Sequence, residues 1–175
     1  GMLGLNQQEN YGPSPFPNAS SPCQVGTDTN WGTSDTSIDI FTERALANIS
    51  GQGFLALKQD NSLWSWGYRG AGQLGLNHGP SNSSRSSPTR VGTDTNWARI
   101  GANCMSGSTF VYGIKQDNTM WMWGDNGYGI LGQNNRTNRS SPTQIPGSWK
   151  IDGCLTGGGK SHMGAVKTDG TFWSW

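Results

Sequence analysis

The stretch "KQDNSLWSWG", Lys58 to Gly67, decides how the chain is read. Two tryptophans stand one residue apart, between a turn-forming Asp-Asn pair and a glycine. Side chains alternate along a strand with period two, so Trp64 and Trp66 share one face. "FLALKQ" before the turn is also strand-like. The Asp60-Asn61 pair between the two runs reads as a two-residue hairpin loop in which both residues take positive φ.

The pattern recurs. "LALKQDNSLWSWG" (55–67) returns as "YGIKQDNTMWMWG" (112–124) and as "GAVKTDGTFWSW" (164–175). "SSPCQVGTDTNW" (20–31) returns as "SSPTRVGTDTNW" (86–97) and, degraded, as "SSPTQIPGSW" (140–149). "LGLN" at 3–6 matches "LGLN" at 74–77 and "LGQN" at 131–134. Trp66 and Trp123 lie 57 positions apart, Trp123 and Trp175 52 apart. A period of this size without helical patterning indicates a four-stranded unit repeated around an axis or along a stack. The expected fold class is all-β, with three four-stranded repeats. One domain, 1–175, holds approximate copies 3–67, 74–124 and 131–175. "PTRVG" and "NWARIG" read as the third and fourth strands of a copy. Trp31 to Lys58 spans 27 positions, whereas Trp97 to Lys115 and Trp149 to Lys167 each span 18, which places an insertion of nine residues within 32–50. "FTERALANI" in that insertion is the one helix-compatible stretch.

Composition removes several function classes. Twelve Lys and Arg against 11 Asp and Glu give a net charge of +1. The densest basic spot, "NNRTNRSS", holds only Arg136 and Arg139, so binding to nucleic acid or to an anionic membrane surface is not expected. No apolar run is long enough for a transmembrane helix. Residues 1–20 lack the basic start and apolar run of a signal peptide, and the opening Gly-Met reads as a remnant of tag removal. Hydrophobic residues are only 32% of the chain, but nine tryptophans supply large buried surfaces, each aromatic about 150–250 Å². Cys23, Cys104 and Cys154 are far apart with no C-x-x-C, which fits neither a disulfide framework nor a zinc site.

The motifs that invite chemistry have plainer explanations. "GAGQLG" (70–75) and "GYGILG" (127–132) match G-x-G-x-x-G, but helix breakers follow where a phosphate loop needs a helix, so both read as turns. His162 has no metal-spaced partner and reads as a hydrogen-bonded structural histidine, and His78 as a solvated one. Asp60, Asp117 and Asp169 recur at one position, which points to turn chemistry rather than to catalysis. "DTNW" and "DNGYG" lack the full spacing of a calcium loop. The sequons at Asn18, Asn48, Asn82, Asn135 and Asn138 read as loop polarity. No catalytic residue, cofactor or metal is expected.

The "W-x-W-G" hairpin, followed by "GYRGAGQLGL" (67–76) or "GDNGYGILG" (124–132), then a polar loop and "SSP", resembles the repeat of the regulator of chromosome condensation 1 (RCC1) family. "GGGKSHMGAVKTDGTFWSW" (157–175) is similar to another segment of that repeat, with His162 at the family's histidine position and Phe110 in its place in the second copy. The resemblance implies β-propeller blades, in a partial or assembled propeller, that act as a scaffold for protein recognition; from the residues themselves no enzymatic activity is expected. A carbohydrate-binding module rich in tryptophan is the alternative.

Tyr68, Arg69, Asp125, Asn126 and Tyr128 follow the "WG" of their copies and are the candidate recognition residues. The pairs Trp64/Trp66, Trp121/Trp123 and Trp173/Trp175 are assigned to the repeat core, as wedges between blades. The partner is an unidentified protein or glycan. Three repeats do not close a ring, so the expectation is either a piece of a longer propeller or head-to-tail association of copies, two of which make six blades.

Overall fold

The computed structural model describes residues 23–32, 45–49, 53–68, 70–77, 84–103, 109–155 and 162–175. These residues form eleven strands and no helix. A first sheet holds β1 (Leu46–Ile49), β2 (Gly53–Leu57), β3 (Leu63–Gly67) and β4 (Arg85–Arg90) in that order. A second holds β5 (Trp97–Asn103), β6 (Phe110–Lys115), β7 (Met120–Gly124) and β8 (Arg139–Ile145). A third holds β9 (Trp149–Leu155), β10 (Gly164–Lys167) and β11 (Phe172–Ser174), with three strands among the described residues. All neighbours are antiparallel. Strands β1 and β5 pack together and β9 contacts β5, so the first strands converge while β4 and β8 lie outermost.

The sheets are out of phase with the sequence copies. "NWARIG" opens the second sheet as β5 instead of closing a copy, and the "SSPTR" strand completes the sheet begun before it. The helix-compatible stretch is corrected as well. Its described part includes β1, whose Leu46 lies opposite Ala56 as Ile100 lies opposite Gly113. Trp31 bridges Lys58 as Trp97 pairs with Lys115. Trp31 to Leu46 therefore spans 15 positions against three from Trp97 to Ile100, while the next connection is three residues against six (50–52 against 104–109). A lengthened connection and a shortened one together leave the net insertion of nine seen in the sequence.

The hairpins between the second and third strands also differ from expectation. Only the second residue of each pair takes positive φ: Asn61 at 58°, Asn118 at 64° and Gly170 at 89°. Asn61 N–H donates to the Lys58 carbonyl at 2.8 Å, and Lys58 N–H to the Ser62 carbonyl at 3.1 Å. The loop thus has three residues, a turn followed by one left-handed residue. Asn and Gly tolerate that conformation, which explains why the third copy can exchange one for the other.

Period-two alternation gives each sheet two distinct faces. Ile100, Val111, Trp121 and Trp123 of the second sheet pack with Leu55, Leu57 and Leu63 of the first. Phe110, Tyr112, Ile114, Met120 and Met122, on its other face, pack with Trp149, Cys154 and Ala165 of the third. Trp121 and Trp123 therefore face the preceding sheet, as does Trp175, while Trp64 and Trp66 lie on the corresponding face of the first sheet. The two members are not equivalent, which corrects their joint assignment to the core. Trp66 and Trp123 are buried, whereas Trp64 and Trp121 are half-buried, Trp175 is half-buried and Trp173 is exposed.

Replacing Trp123 with alanine is expected to cost about 3–5 kcal/mol in urea unfolding, because the cavity left between two sheets cannot collapse. Trp173→Ala, at an exposed position, is expected to cost less than about 1 kcal/mol. Equal losses would contradict the division of roles.

Candidate functional site

At the hairpin end of the sheets one polar arrangement appears three times. The Asp60 carboxylate accepts from the Ser62 N–H at 3.0 Å and from the Ser62 hydroxyl at 2.6 Å, and that hydroxyl accepts from Trp64 Nε1–H at 2.8 Å. Asp117, Thr119 and Trp121 repeat the chain, as do Asp169, Thr171 and Trp173. These bonds favour the charged carboxylate. The Ser62 hydroxyl and then its amide hold the Asp60 carboxyl below its ordinary value, and Thr119 and Thr171 do the same for Asp117 and Asp169.

A lysine lies over the first tryptophan of every pair. Lys58 Nζ is 3.9 Å from the Trp64 ring centroid, Lys115 Nζ 4.1 Å from Trp121 and Lys167 Nζ 3.8 Å from Trp173. A second ring flanks each ammonium, from Trp31, Trp97 and Trp149 respectively, at 4.8 to 5.4 Å. Lys58 also reaches Asp28 at 2.8 Å and Lys115 reaches Asp94 at 3.0 Å. "IPGSW" has no aspartate in place of the one in "VGTDTNW", so the third cage has aromatic walls without that carboxylate. Cation–π attraction with partial desolvation explains why a charged lysine sits buried here. The sequence reading assigned these lysines no role. Their signal was the recurrence of Lys two residues before each Asp.

The second tryptophan of the later two pairs works between sheets. Trp123 Nε1–H donates to the Gln73 carbonyl at 2.9 Å, and Trp175 Nε1–H to the Ile130 carbonyl at 2.6 Å. Both acceptors lie in the G-x-x-G turn of the sheet before. That turn closes with a bond from the Gly75 N–H to the Gly72 carbonyl, repeated by Gly132 and Gly129. Gly75 has φ +70°, and a Cβ there would lie 3.0 Å from Trp123 Nε1. The glycine is needed for its conformation and for the approach of the next indole, so the motif does turn and packing work.

The opposite end carries the candidate recognition residues. Tyr128 is 58% exposed and Tyr68 is 41% exposed. Asp125 accepts from the Gly127 N–H at 3.2 Å and is half-buried. Arg69 lies outside the described residues. Asn126 is corrected from a contact residue to a tether, since it is buried with every polar group engaged. Its N–H donates to Asn138 Oδ1, its amide nitrogen to the Asn135 and Thr137 carbonyls, and its Oδ1 accepts from the Leu131 N–H. The tether holds the turn that displays Tyr128.

The remaining candidates carry less. His162 is exposed, and His78 and Cys104 lie outside the described residues. Cys154 is buried, and burial pushes its thiol up to about 12, which removes the thiolate needed for reactivity. Among the described residues no group of three or more His, Cys, Asp or Glu gathers as a metal site, and no helix is long and apolar enough to cross a membrane. A groove of about 400 Å³ between the first and second sheets is lined by residues including Arg90, Asp94, Trp97 and Trp121.

Known proteins are similar to this chain in sequence and in fold. The Regulator of chromosome condensation (RCC1) repeat matches residues 117–154. E3 ubiquitin-protein ligase HERC2 of Homo sapiens is 28% identical over 134 residues, which is 74% of this chain and 3% of HERC2. HERC2 of Mus musculus matches equally. Human WBSCR16 superposes with a TM-score of 0.56 at 18% identity, over 79% of this chain and 34% of its own. Yeast RCC1 (Prp20) bound to Kap60 gives 0.55 at 22% identity, over 71% and 30%. Prp20p of Saccharomyces cerevisiae, described with its binding to Gsp1p and histones, gives 0.54 at 23% identity, over 71% and 31%. The chain thus spans 3% of HERC2 and roughly a third of these solved chains, and the superpositions identify its sheets as propeller blades.

The lowered carboxyl values carry a pH signature. A group whose folded value is depressed contributes stability that is present above its unfolded value, near 3.8, and lost as pH falls through the folded value. Asp117→Asn keeps an acceptor and removes the charge. Its urea midpoint is expected below that of the wild type at pH 7, with the gap closing as pH falls below about 3.8. A gap that stays constant down to about pH 2 rules out the carboxylate as its source.

Proposed function

We propose, for a chain that belongs to the RCC1-repeat family, a non-enzymatic propeller scaffold that recognises another protein through the turns after its W-x-W-G strands. The carrying observation is the exposure of Tyr68 and Tyr128, the latter on a turn whose backbone is held by internal bonds. A large ring displayed on a fixed turn loses little freedom on binding, which is what makes tyrosine effective at interfaces. Yeast RCC1 bound to Kap60, and Prp20p with its binding to Gsp1p and histones, are propellers with protein partners, which supports a protein as the partner class.

The sugar-binding alternative is weaker on geometry. A sugar stacks on an open aromatic face. The first tryptophan of each pair already has its own lysine over the ring, and Trp66 and Trp123 are buried. In this reading the three sheets are blades of a larger ring, completed by copies joined head to tail or by further repeats of a longer propeller.

A photo-crosslinking residue at position 128 is expected to capture a protein that the same probe at Gln144, exposed on an outer strand, does not. Alanine at both Tyr68 and Tyr128 then lowers affinity for the captured protein about tenfold or more. Unchanged affinity, or sugar-specific quenching of tryptophan fluorescence, would overturn the protein-scaffold reading.

A further inference from the structure

We infer that the surface around Tyr128 takes an acidic segment of its protein partner, whose carboxylates meet Arg136 and Arg139. The inference names the partner chemistry of the recognition turns proposed above and rests on that reading.

The surface belongs to the middle sheet, where two stretches of chain meet between β7 and β8. Gly129 packs on the other stretch, since a Cβ there would lie 3.9 Å from the Asn135 carbonyl. Asn126 is buried beneath both. It donates to the Asn135 and Thr137 carbonyls and to Asn138 Oδ1, and it accepts from the Leu131 N–H. One side chain thus fixes the stretch that holds Arg136 beside the turn that holds Tyr128. Arg139 opens β8 directly afterwards, opposite Gly124. The first sheet closes on the same spot, because a Cβ at Gly72 would lie 2.7 Å from the Arg139 carbonyl. Arg136 is exposed and Arg139 half-buried, and Tyr128 is 58% exposed.

The charges at the two ends of the sheets are arranged differently. At the hairpin end Asp28 and Asp94 are paired with Lys58 and Lys115, and Asp60, Asp117 and Asp169 are bonded within their hairpins. Asp152, on β9, is paired with Arg99. Asp125 is the one described carboxylate at the turn end, and it is half-buried with an oxygen on the Gly127 N–H. Neither Arg136 nor Arg139 is paired with a described carboxylate, and Arg139 Nε is shut off from water without an acceptor. The turn end therefore has an excess of guanidinium that the chain itself leaves unmatched.

A guanidinium presents a fork of N–H donors that fits a carboxylate. The tyrosine ring beside it offers contact to the aliphatic part of an acidic side chain. Two cations on a fixed loop are too few to hold a nucleic-acid backbone, whose affinity builds from many phosphate contacts. They suit a short acidic stretch, which such charges select and orient.

The test follows backbone amides of the full chain by NMR while poly-L-glutamate is added. Shifts are expected at Tyr128 and at 135–139, not at Lys58 and Lys115, and they shrink as salt is raised. Arg136→Glu with Arg139→Glu is expected to weaken poly-L-glutamate binding about tenfold or more, whereas Lys150→Glu, at an exposed position of the hairpin end, changes it less than about twofold. Arg136→Gln alone, at an exposed position that the fold does not need, gives a loss of about threefold and serves if the double variant does not fold. Shifts confined to the hairpin end, no shifts, or tighter binding of single-stranded RNA than of poly-L-glutamate would overturn the inference. So would a protein captured by the probe at position 128 whose affinity falls with alanine at both tyrosines but not with the two arginine replacements, a result that leaves the recognition reading standing.

Discussion

The contact on which the architecture depends is one indole reaching across a sheet boundary. Trp123 fills the space between the first and second sheets and donates Nε1–H to the Gln73 carbonyl, and Trp175 does the same between the second and third. Burial of a large ring drives the association without direction, and the hydrogen bond adds direction. The G-x-x-G turn must then present a carbonyl with no side chain in the way, which sets the glycines. Backbone bonds reinforce the boundary where Trp97 N–H meets the Asn61 carbonyl and Trp149 N–H the Asn118 carbonyl. Strand, turn and hairpin are thus constrained together by their neighbours, which is why they recur as a block.

Around that wedge the repeat separates what is fixed from what is displayed. The hairpin end is taken up by internal chemistry: an aspartate orders a Ser or Thr, the hydroxyl orders an indole, and the indole holds a lysine. At the other end Asn126 spends its hydrogen bonds on the loop itself and leaves Tyr128 outside. A rigid base with varied exposed turns fits the recognition role proposed above.

Much of this was legible before any coordinates. Recurrence of "KQDN" and "W-x-W" fixed the strands, the repeat and the family resemblance, since each is a local pattern. Three features were not legible, for one shared reason. The split between Trp64 and Trp66, the lysine cages and the burial of Asn126 all depend on contacts to residues well removed in sequence, such as Asp28 to Lys58 or Asn126 to Asn138. The phase error is similar. "SSPTR" and "NWARIG" are adjacent in sequence, and only pairing reveals that one ends a sheet while the other begins the next. The hairpin type was missed because the loop includes Gln59, which reads as strand by composition.

The most direct test of the central claim is hydrogen exchange at the tryptophan indoles, followed by NMR on protein labelled with ¹⁵N-tryptophan. An N–H locked between sheets exchanges only when the boundary opens, whereas one bonded at an exposed edge exchanges through local fluctuation. The account predicts that Trp123 Nε1–H exchanges orders of magnitude more slowly than Trp173 Nε1–H, although both are hydrogen-bonded. Equal rates at the two indoles would contradict it.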